Sequence, residues 1–303
     1  MEIALTPIRL GVIGISDGNG HPYSWSAIIN GFDPVVMRGC PFPVIVEYLS
    51  KHEFPAERIH EAQVTHIWTQ DRRISEHISS ACLIEHVVDQ PTDLIGHVDG
   101  VLLARDDYQH HYELSEPFLR AGLPVYIDKP LAVSTFECDR IFQMELHSGQ
   151  IFSCTALRYA REFEVSDADR ADIGNIRYLD ACVMKTWDKY AVHVVEPALK
   201  ILGDQGGLGR IVCANWSDRH IVTATWESGV QATFAALGSS ACPIRIRLFG
   251  DRGFREYTFA DSFSAFRQAL LAFVGMVKSR RAPIDRVFTR KVVEIIELGN
   301  NRG

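Results

Sequence analysis

The chain has 303 residues, 47% of them hydrophobic and 23% charged, and carries a formal net charge of −7. That length suits two ordinary domains or one large one, and the composition is that of a globular protein. The acidic balance argues against a nucleic-acid or anionic-membrane partner, either of which favours a basic face, and no apolar run is long enough to span a bilayer.

The seven cysteines (Cys40, Cys82, Cys138, Cys154, Cys182, Cys213 and Cys242) are scattered and form no C-x-x-C pair. That pattern fits reduced, mostly buried thiols and gives no zinc site, so no metal is expected. The opening Met1-Glu2-Ile3-Ala4-Leu5-Thr6-Pro7 lacks the basic and long apolar regions of a secretion signal. A cytoplasmic protein is the expectation.

Residues 9–13 read as a short apolar strand entering a glycine-containing loop, and 23–30 as a helix stopped by Gly31. Residues 32–43, with Pro34, Pro41 and Pro43, read as irregular, and 44–51 as helical. The second strand is 64–69, rich in β-branched and aromatic residues. A helix over 73–81, a short one over 91–95, a strand over 100–104, a helix over 111–121 closed by Gly122, and a strand over 124–127 follow. Strands alternating with helices specify a parallel, doubly wound sheet.

Beyond about residue 150 the pattern changes. Residues 152–156, 176–186, 211–216, 220–226, 230–236, 244–249 and 255–259 read as strands, with hairpin-type turns at Glu227-Ser228-Gly229 and Gly250-Asp251-Arg252-Gly253. Sequential hairpins favour an antiparallel sheet. Residues 262–278 and 285–298 read as helices. The expected division is a dinucleotide-type domain over 1–130 and a substrate-binding and oligomerisation sheet domain over 131–303, whose C-terminal helices are candidates to pack back on the first.

The first strand runs into Gly14-Ile15-Ser16-Asp17-Gly18-Asn19-Gly20. Small residues there let backbone amides approach a pyrophosphate, and the following helix offers its positive N-terminus. The G-x-G-x-x-G fingerprint is not met, since Ser16 and Asn19 take the second and third glycine positions; a plain glycine-rich turn is the competing interpretation. Asp71, after Thr69 and Gln70, is the candidate for the adenosine ribose, although it lies far beyond the roughly 20 residues of a standard unit. Arg72 and Arg73 could instead hold a 2′-phosphate or merely open a solvated helix. The third strand leads into Asp106 and to His111, the start of a helix near the expected cofactor.

Asp128-Lys129-Pro130 stands at the end of the fourth strand. Ligands of open α/β sheets bind outside the carboxyl ends of strands, where a lysine can present its amine to a substrate hydroxyl. In Trp187-Asp188-Lys189-Tyr190-Ala191-Val192-His193-Val194-Val195-Glu196-Pro197 a polar cluster enters an apolar helix, and Lys189 and His193, four apart, share a helix face.

Together these residues resemble the Gfo/Idh/MocA (glucose–fructose oxidoreductase/inositol dehydrogenase) family. The likeness is most specific from Val98-Asp99-Gly100 through His111-Tyr112-Glu113-Leu114 to Ala121-Gly122-Leu123-Pro124-Val125-Tyr126-Ile127-Asp128-Lys129-Pro130. It implies an α/β plus α+β fold: an N-terminal Rossmann doubly wound parallel sheet, then a C-terminal open, mostly antiparallel sheet. The family pattern at the fourth strand is Glu-Lys-Pro, so Asp128 keeps the carboxylate with a shorter reach. By resemblance Lys129 contacts both cofactor and substrate hydroxyl, and His193 matches the family histidine. The aspartate four residues before that histidine is Lys189 here, and Lys189 or Tyr190 is the candidate to take its catalytic role. Arg158 and Tyr159 match a stretch that often contacts substrate, and Trp187 and Tyr190 are further candidates for a sugar pocket.

The resemblance implies an NAD-dependent dehydrogenase, with NADP the alternative cofactor. It would act on a hydroxyl or keto group of a sugar, polyol or nucleotide-linked sugar. Either His193 or Lys129 accepts the hydroxyl proton while the other polarises the forming carbonyl; Asp128 orients Lys129. Two rivals remain: a dinucleotide-binding regulator without turnover, and a glycosidase using bound NAD for transient oxidation. A homodimer or homotetramer, built through the open sheet face, is the expected assembly.

Overall fold

A computed structural model describes residues 6–300; of the N-terminal stretch considered for a secretion signal, residues 1–5 lie outside the described residues, as do 301–303. The chain forms two compact units. The first comprises residues up to 131, 140–153 and Phe266–Asp285; the second comprises Ala132–Asp139, Cys154–Ala265 and the chain from Arg286.

In the first unit, β1 (Ile8–Ile13), β2 (Ala62–Trp68), β3 (His86–Val87), β4 (Gly100–Leu103), β5 (Val125–Ile127) and β6 (Ile151–Phe152) form one sheet in the order β3-β2-β1-β4-β5-β6. Every pairing is parallel. Strands buried on both faces read as unbroken apolar runs, and Val101-Leu102-Leu103 and Val125-Tyr126-Ile127 are such runs. The order reverses at β1, which lies between β2 and β4. The crevice outside their carboxyl ends is therefore the place for a ligand.

The aromatic core of this unit is continuous. Trp25 stacks on Tyr126 with ring centroids 4.6 Å apart, Tyr126 meets Phe152 edge-on at 4.6 Å, and Phe273 packs against both at 5.7 and 5.9 Å. Such pairs contribute about 0.5–1.5 kcal/mol each beyond the area they bury.

The sequence expectation of an irregular 32–43 needs one correction: Pro34–Met37 is a short helix. Asp33 caps it by accepting from the amides of Val35 and Val36, and Pro34 sits at its start. The two-residue β3 is too short to show a period in the sequence.

The second unit holds β7 (Ile176–Val183), β8 (Leu208–Trp216), β9 (Arg219–Trp226), β10 (Gln231–Ala236), β11 (Arg245–Gly250) and β12 (Phe254–Thr258), in the order β12-β11-β7-β10-β9-β8. β7 and β10 are parallel; the other pairs are antiparallel. Alternation sets the two faces. Leu179, Ala181, Val183, Val222, Ala224, Ala232, Phe234, Ile246 and Leu248 are buried on one face. Helix Val192–Leu202 packs there over β7 and β11, and helix Arg286–Asn300 over β8 and β9. The opposite face carries exposed Val212, Ile221, Phe254 and Trp216, the last 75% exposed, among pairs such as Arg247–Asp180 and Thr223–Thr233.

The strand expected over 152–156 stops at Phe152; residues Ala156–Tyr159 wind into a 3-10 turn capped by the Thr155 hydroxyl. The strand expected over 176–186 ends at Val183, just before Lys185 takes a positive φ of 64°. Helices Thr135–Phe142 and Asp167–Ile173 were not legible in the sequence. Among the described residues no helix is long and apolar enough to cross a membrane.

Candidate functional site

In the first unit the loop after β1 is built for close approach. The Gly14 amide donates to the Trp68 carbonyl at 2.8 Å, and its φ is +79°. A Cβ there would lie 2.4 Å from Arg105 Cδ. The turn closes by a bond from the Asn19 amide to the Ser16 carbonyl, with Gly18 at φ +73°. A Cβ on Gly20 would lie 2.4 Å from Ile45 Cδ1 and 2.6 Å from Phe42. Helix His21–Asn30 then starts at Gly20, with Asn19 Oδ1 accepting from the His21 amide at 2.9 Å and no acidic residue in its first turn.

Two polar links secure this loop. Ser16 Oγ donates to Asp106 Oδ1 at 2.8 Å and accepts from the Asp106 amide at 3.2 Å. The Gln70 side chain clips Ile15, accepting from its amide at 3.0 Å and donating to its carbonyl at 2.7 Å.

Asp128 is the hub beneath. It is 1% exposed, its Oδ2 accepts from Asn19 Nδ2 at 2.8 Å and lies 2.5 Å from His21 Nδ1, and its Oδ1 accepts from the Lys129 amide at 2.7 Å. Burial pushes its carboxyl up, but the His21 ring, Lys129 and Asn19 together outweigh burial and hold it well below the usual carboxylate range. Lys129 Nζ is buried and donates to Asp106 Oδ2 at 3.4 Å. His21 also stacks on Trp25 at 4.9 Å.

Ser16, Asn19, Asp106, Asp128 and Lys129 thus form one network, which His21 completes. His111 is fully buried and bridges the carbonyl oxygens of Arg105 and Leu131 at 2.7 and 3.0 Å, bracing the backbone on either side of the network. Thr69, Asp71 and Arg72 are engaged at the start of helix Arg72–Ala81. Thr69 Oγ1 donates to the Asp71 carbonyl, Asp71 Oδ1 accepts from the Arg73 amide, and Arg72 pairs with Glu76 and Asp89.

The second unit carries its own cluster. Trp187–Tyr190 and Val192–Leu202 are short helices joined through Ala191, which keeps helical angles, so Lys189 and His193 remain one turn apart. Thr155 Oγ1 lies 2.7 Å from His193 Nδ1, and the Thr155 amide donates to Glu196 Oε2 at 2.7 Å. Arg158 Nη1 lies 3.5 Å from Glu196 Oε1, and its guanidinium covers the Phe288 ring at 4.4 Å. Burial pushes the Glu196 carboxyl up to about 7, against the opposing pull of Arg158 and the Thr155 amide. Tyr190 packs edge-on to His193 at 5.1 Å and also meets Lys185. Tyr159 lies beside Lys200, its phenol pushed up chiefly by burial.

The structure places Trp187 in the core rather than at a surface: it is 1% exposed and donates to the Ile296 carbonyl at 2.9 Å. Sequence reasoning passed over His21, Gln70, Thr155 and Glu196. Glu196 alone had a signal, as a lone acid on an apolar helix.

Residues 46–155 match the model of the Gfo/Idh/MocA family, described as an oxidoreductase family with an NAD-binding Rossmann fold. That stretch of the chain is similar to the family. Over 116 residues it is 38% identical to inositol 2-dehydrogenase 1 of Saccharopolyspora erythraea; this match covers 36% of the chain and 33% of that relative, so it spans only about a third of the curated relative's length. Myo-inositol 2-dehydrogenase of Lactobacillus plantarum shares the fold with a TM-score of 0.73 at 16% identity, covering 96% of each chain. UDP-N-acetylglucosamine 3-dehydrogenase of Acidithiobacillus ferrooxidans does so with a TM-score of 0.68, again at 16% identity and 96% of each chain. At these identities the structural likeness is one of fold.

The loop after β1 fits a dinucleotide. Gly14 and Gly20 leave no room for a Cβ, and the loop leads into the start of helix His21–Asn30, where backbone amides suit a phosphate. Ser16, Gly18, Asn19 and the helix start would hold the phosphates.

Proposed function

We propose that the protein is an NAD(P)-dependent dehydrogenase of a CH–OH group in a cyclitol, sugar or nucleotide-linked sugar. The observation that carries this is Lys129: a buried amine at the carboxyl end of β5, held between Asp106 and the Asp128 backbone turn, in a sheet of dinucleotide-binding order. The family match and the inositol dehydrogenase relative support the same conclusion.

The dinucleotide, when bound, supplies the hydride acceptor. The chain's own residues do the rest. Asp128 fixes the backbone of Lys129 and pins His21 and Asn19 beneath the loop, while Asp106 holds the lysine amine. Lys129 presents that amine to the substrate hydroxyl and is the candidate to take its proton, and His193 is the other candidate carried over from the resemblance. Arg158, Tyr159 and Tyr190 are the candidates to bind the remaining hydroxyls. The exposed apolar residues of the open sheet face, Val212, Trp216, Ile221 and Phe254, fit burial against a second copy in a homodimer or a dimer of dimers.

Calorimetry with NAD, NADH, NADP and NADPH, followed by turnover of inositols, sugars and sugar nucleotides, tests the proposal. One cofactor pair should bind, and Lys129→Ala should abolish turnover while binding survives. Undiminished turnover in Lys129→Ala, or no binding of any of the four, would overturn it.

A further inference from the structure

We infer that Thr155 is a positioning residue that holds His193 with its ring proton on Nε2, so that neutral His193 presents a donor there and is not a base.

The hydrogen-bond inventory of one buried hydroxyl carries the inference. Thr155 is fully buried. Its Oγ1 caps the 3-10 turn Ala156–Tyr159 by accepting from the Leu157 amide at 3.3 Å. A hydroxyl has one proton to give, and a buried donor left without an acceptor costs about 1–3 kcal/mol. The partner of Thr155 Oγ1 able to accept that proton is His193 Nδ1, at 2.7 Å. Nδ1 therefore takes the proton bond, and the proton of the neutral imidazole resides on Nε2.

Thr155 cannot easily turn away. Its amide is tied to the buried Glu196 carboxylate, one turn beyond His193 on the same helix, and Arg158 holds that carboxylate from the other side. Helix Val192–Leu202 thus supplies both the ring and the anchor that fixes the ring's partner.

The chemical consequence is a division of labour. A carboxylate against Nδ1 would accept Nδ1–H and leave Nε2 bare as a base, the arrangement that sets histidine bases elsewhere. Position 189, one turn before His193, offers a lysine instead. A hydroxyl donating to Nδ1 sets the opposite tautomer. His193 then carries a donor and no lone pair at Nε2, so the ring is not set up as a base. The kinetic part of this rests on the dehydrogenase proposal; the tautomer itself does not.

The test reads the ring directly. The full-length protein is labelled with ¹⁵N at its 12 histidines, and its spectra are taken at about pH 9, above the usual histidine range. The His193 signals are identified by their loss in His193→Asn. The expected result is an unprotonated Nδ1 and a protonated Nε2, kept in Thr155→Ser and lost to a tautomer mixture in Thr155→Val. A protonated Nδ1 in the parent protein overturns the inference, as does a Thr155→Val spectrum identical to the parent's. Should Thr155→Val fail to fold, the parent and Thr155→Ser spectra decide. Turnover separates the two proposals. Nε2–H without turnover on any polyol leaves the inference standing and removes the dehydrogenase function. Nδ1–H with normal turnover does the reverse.

Discussion

Glu196 sets how stability runs with pH. Its carboxyl is 3% exposed, and burial lifts its pKa from the usual 4.5 to about 7. Between those values the folded protein keeps a proton that the unfolded chain has released, so stability falls as pH rises through that window. At about 1.4 kcal/mol per pH unit the gap amounts to roughly 3 kcal/mol, fully present below the unfolded pKa and lost by about pH 7. Glu196→Gln removes the titration. It also turns an NH₂ toward Arg158 or toward the Thr155 amide, a constant cost that displaces the whole curve without changing its slope. Urea unfolding of both proteins, at fixed concentration and at pH values from about 5 to about 8, reads the difference. The variant should gain on the parent by about 3 kcal/mol across that range. Parallel curves would show that the carboxyl is not held protonated in the folded chain and that Arg158 and the Thr155 amide outweigh burial.

Three further outcomes are expected. Asp128→Asn should cost roughly 3 kcal/mol near neutral pH, because it removes the charge against His21 and Lys129. Since the folded pKa of Asp128 is depressed, that stabilisation is present above the usual 3.8 and fades as pH falls through the folded value; a cost that persists unchanged in acid would refute the assignment. Gly14→Ala, with φ at +79° and a Cβ 2.4 Å from Arg105, should cost at least about 1 kcal/mol in unfolding and weaken dinucleotide binding in calorimetry; unaltered affinity would remove Gly14 from the cradle. Trp216→Glu should shift sedimentation equilibrium toward monomer, and an unchanged mass would exclude the open sheet face as the interface.

The parts legible in the sequence were those whose signal is local. β4 and β5 are buried on both faces, so their apolar runs stood out between Gly100 and Pro130. Lys129 was found because it follows such a strand. Its partners were legible only in part. Asp106 follows a neighbouring strand, but His21 lies 107 residues from Asp128 at the first position of a helix, with nothing nearby to mark it. Thr155 looked like one more strand residue, and only the fold shows its hydroxyl against His193. The 3-10 turn that follows was hidden because Phe152, Cys154 and Ala156 alternate as a strand would. Asp71 illustrates the converse: an acid after a strand fits a ribose ligand and a helix cap equally well, and its carboxylate does cap a helix here.

Phe273 lies against Tyr126 and Phe152, yet it arrives from Phe266–Asp285, long after the rest of its unit has been made. A growing chain that has emerged only to β6 presents these rings uncovered. At about 5–20 residues per second the wait for the closing helix is on the order of ten seconds. Completion of the Rossmann unit is thereby tied to synthesis of residues 266–285. A ribosome stalled soon after residue 153 should leave this unit with its aromatic layer exposed, a natural target for chaperones and proteases, until Phe273 arrives to seal it.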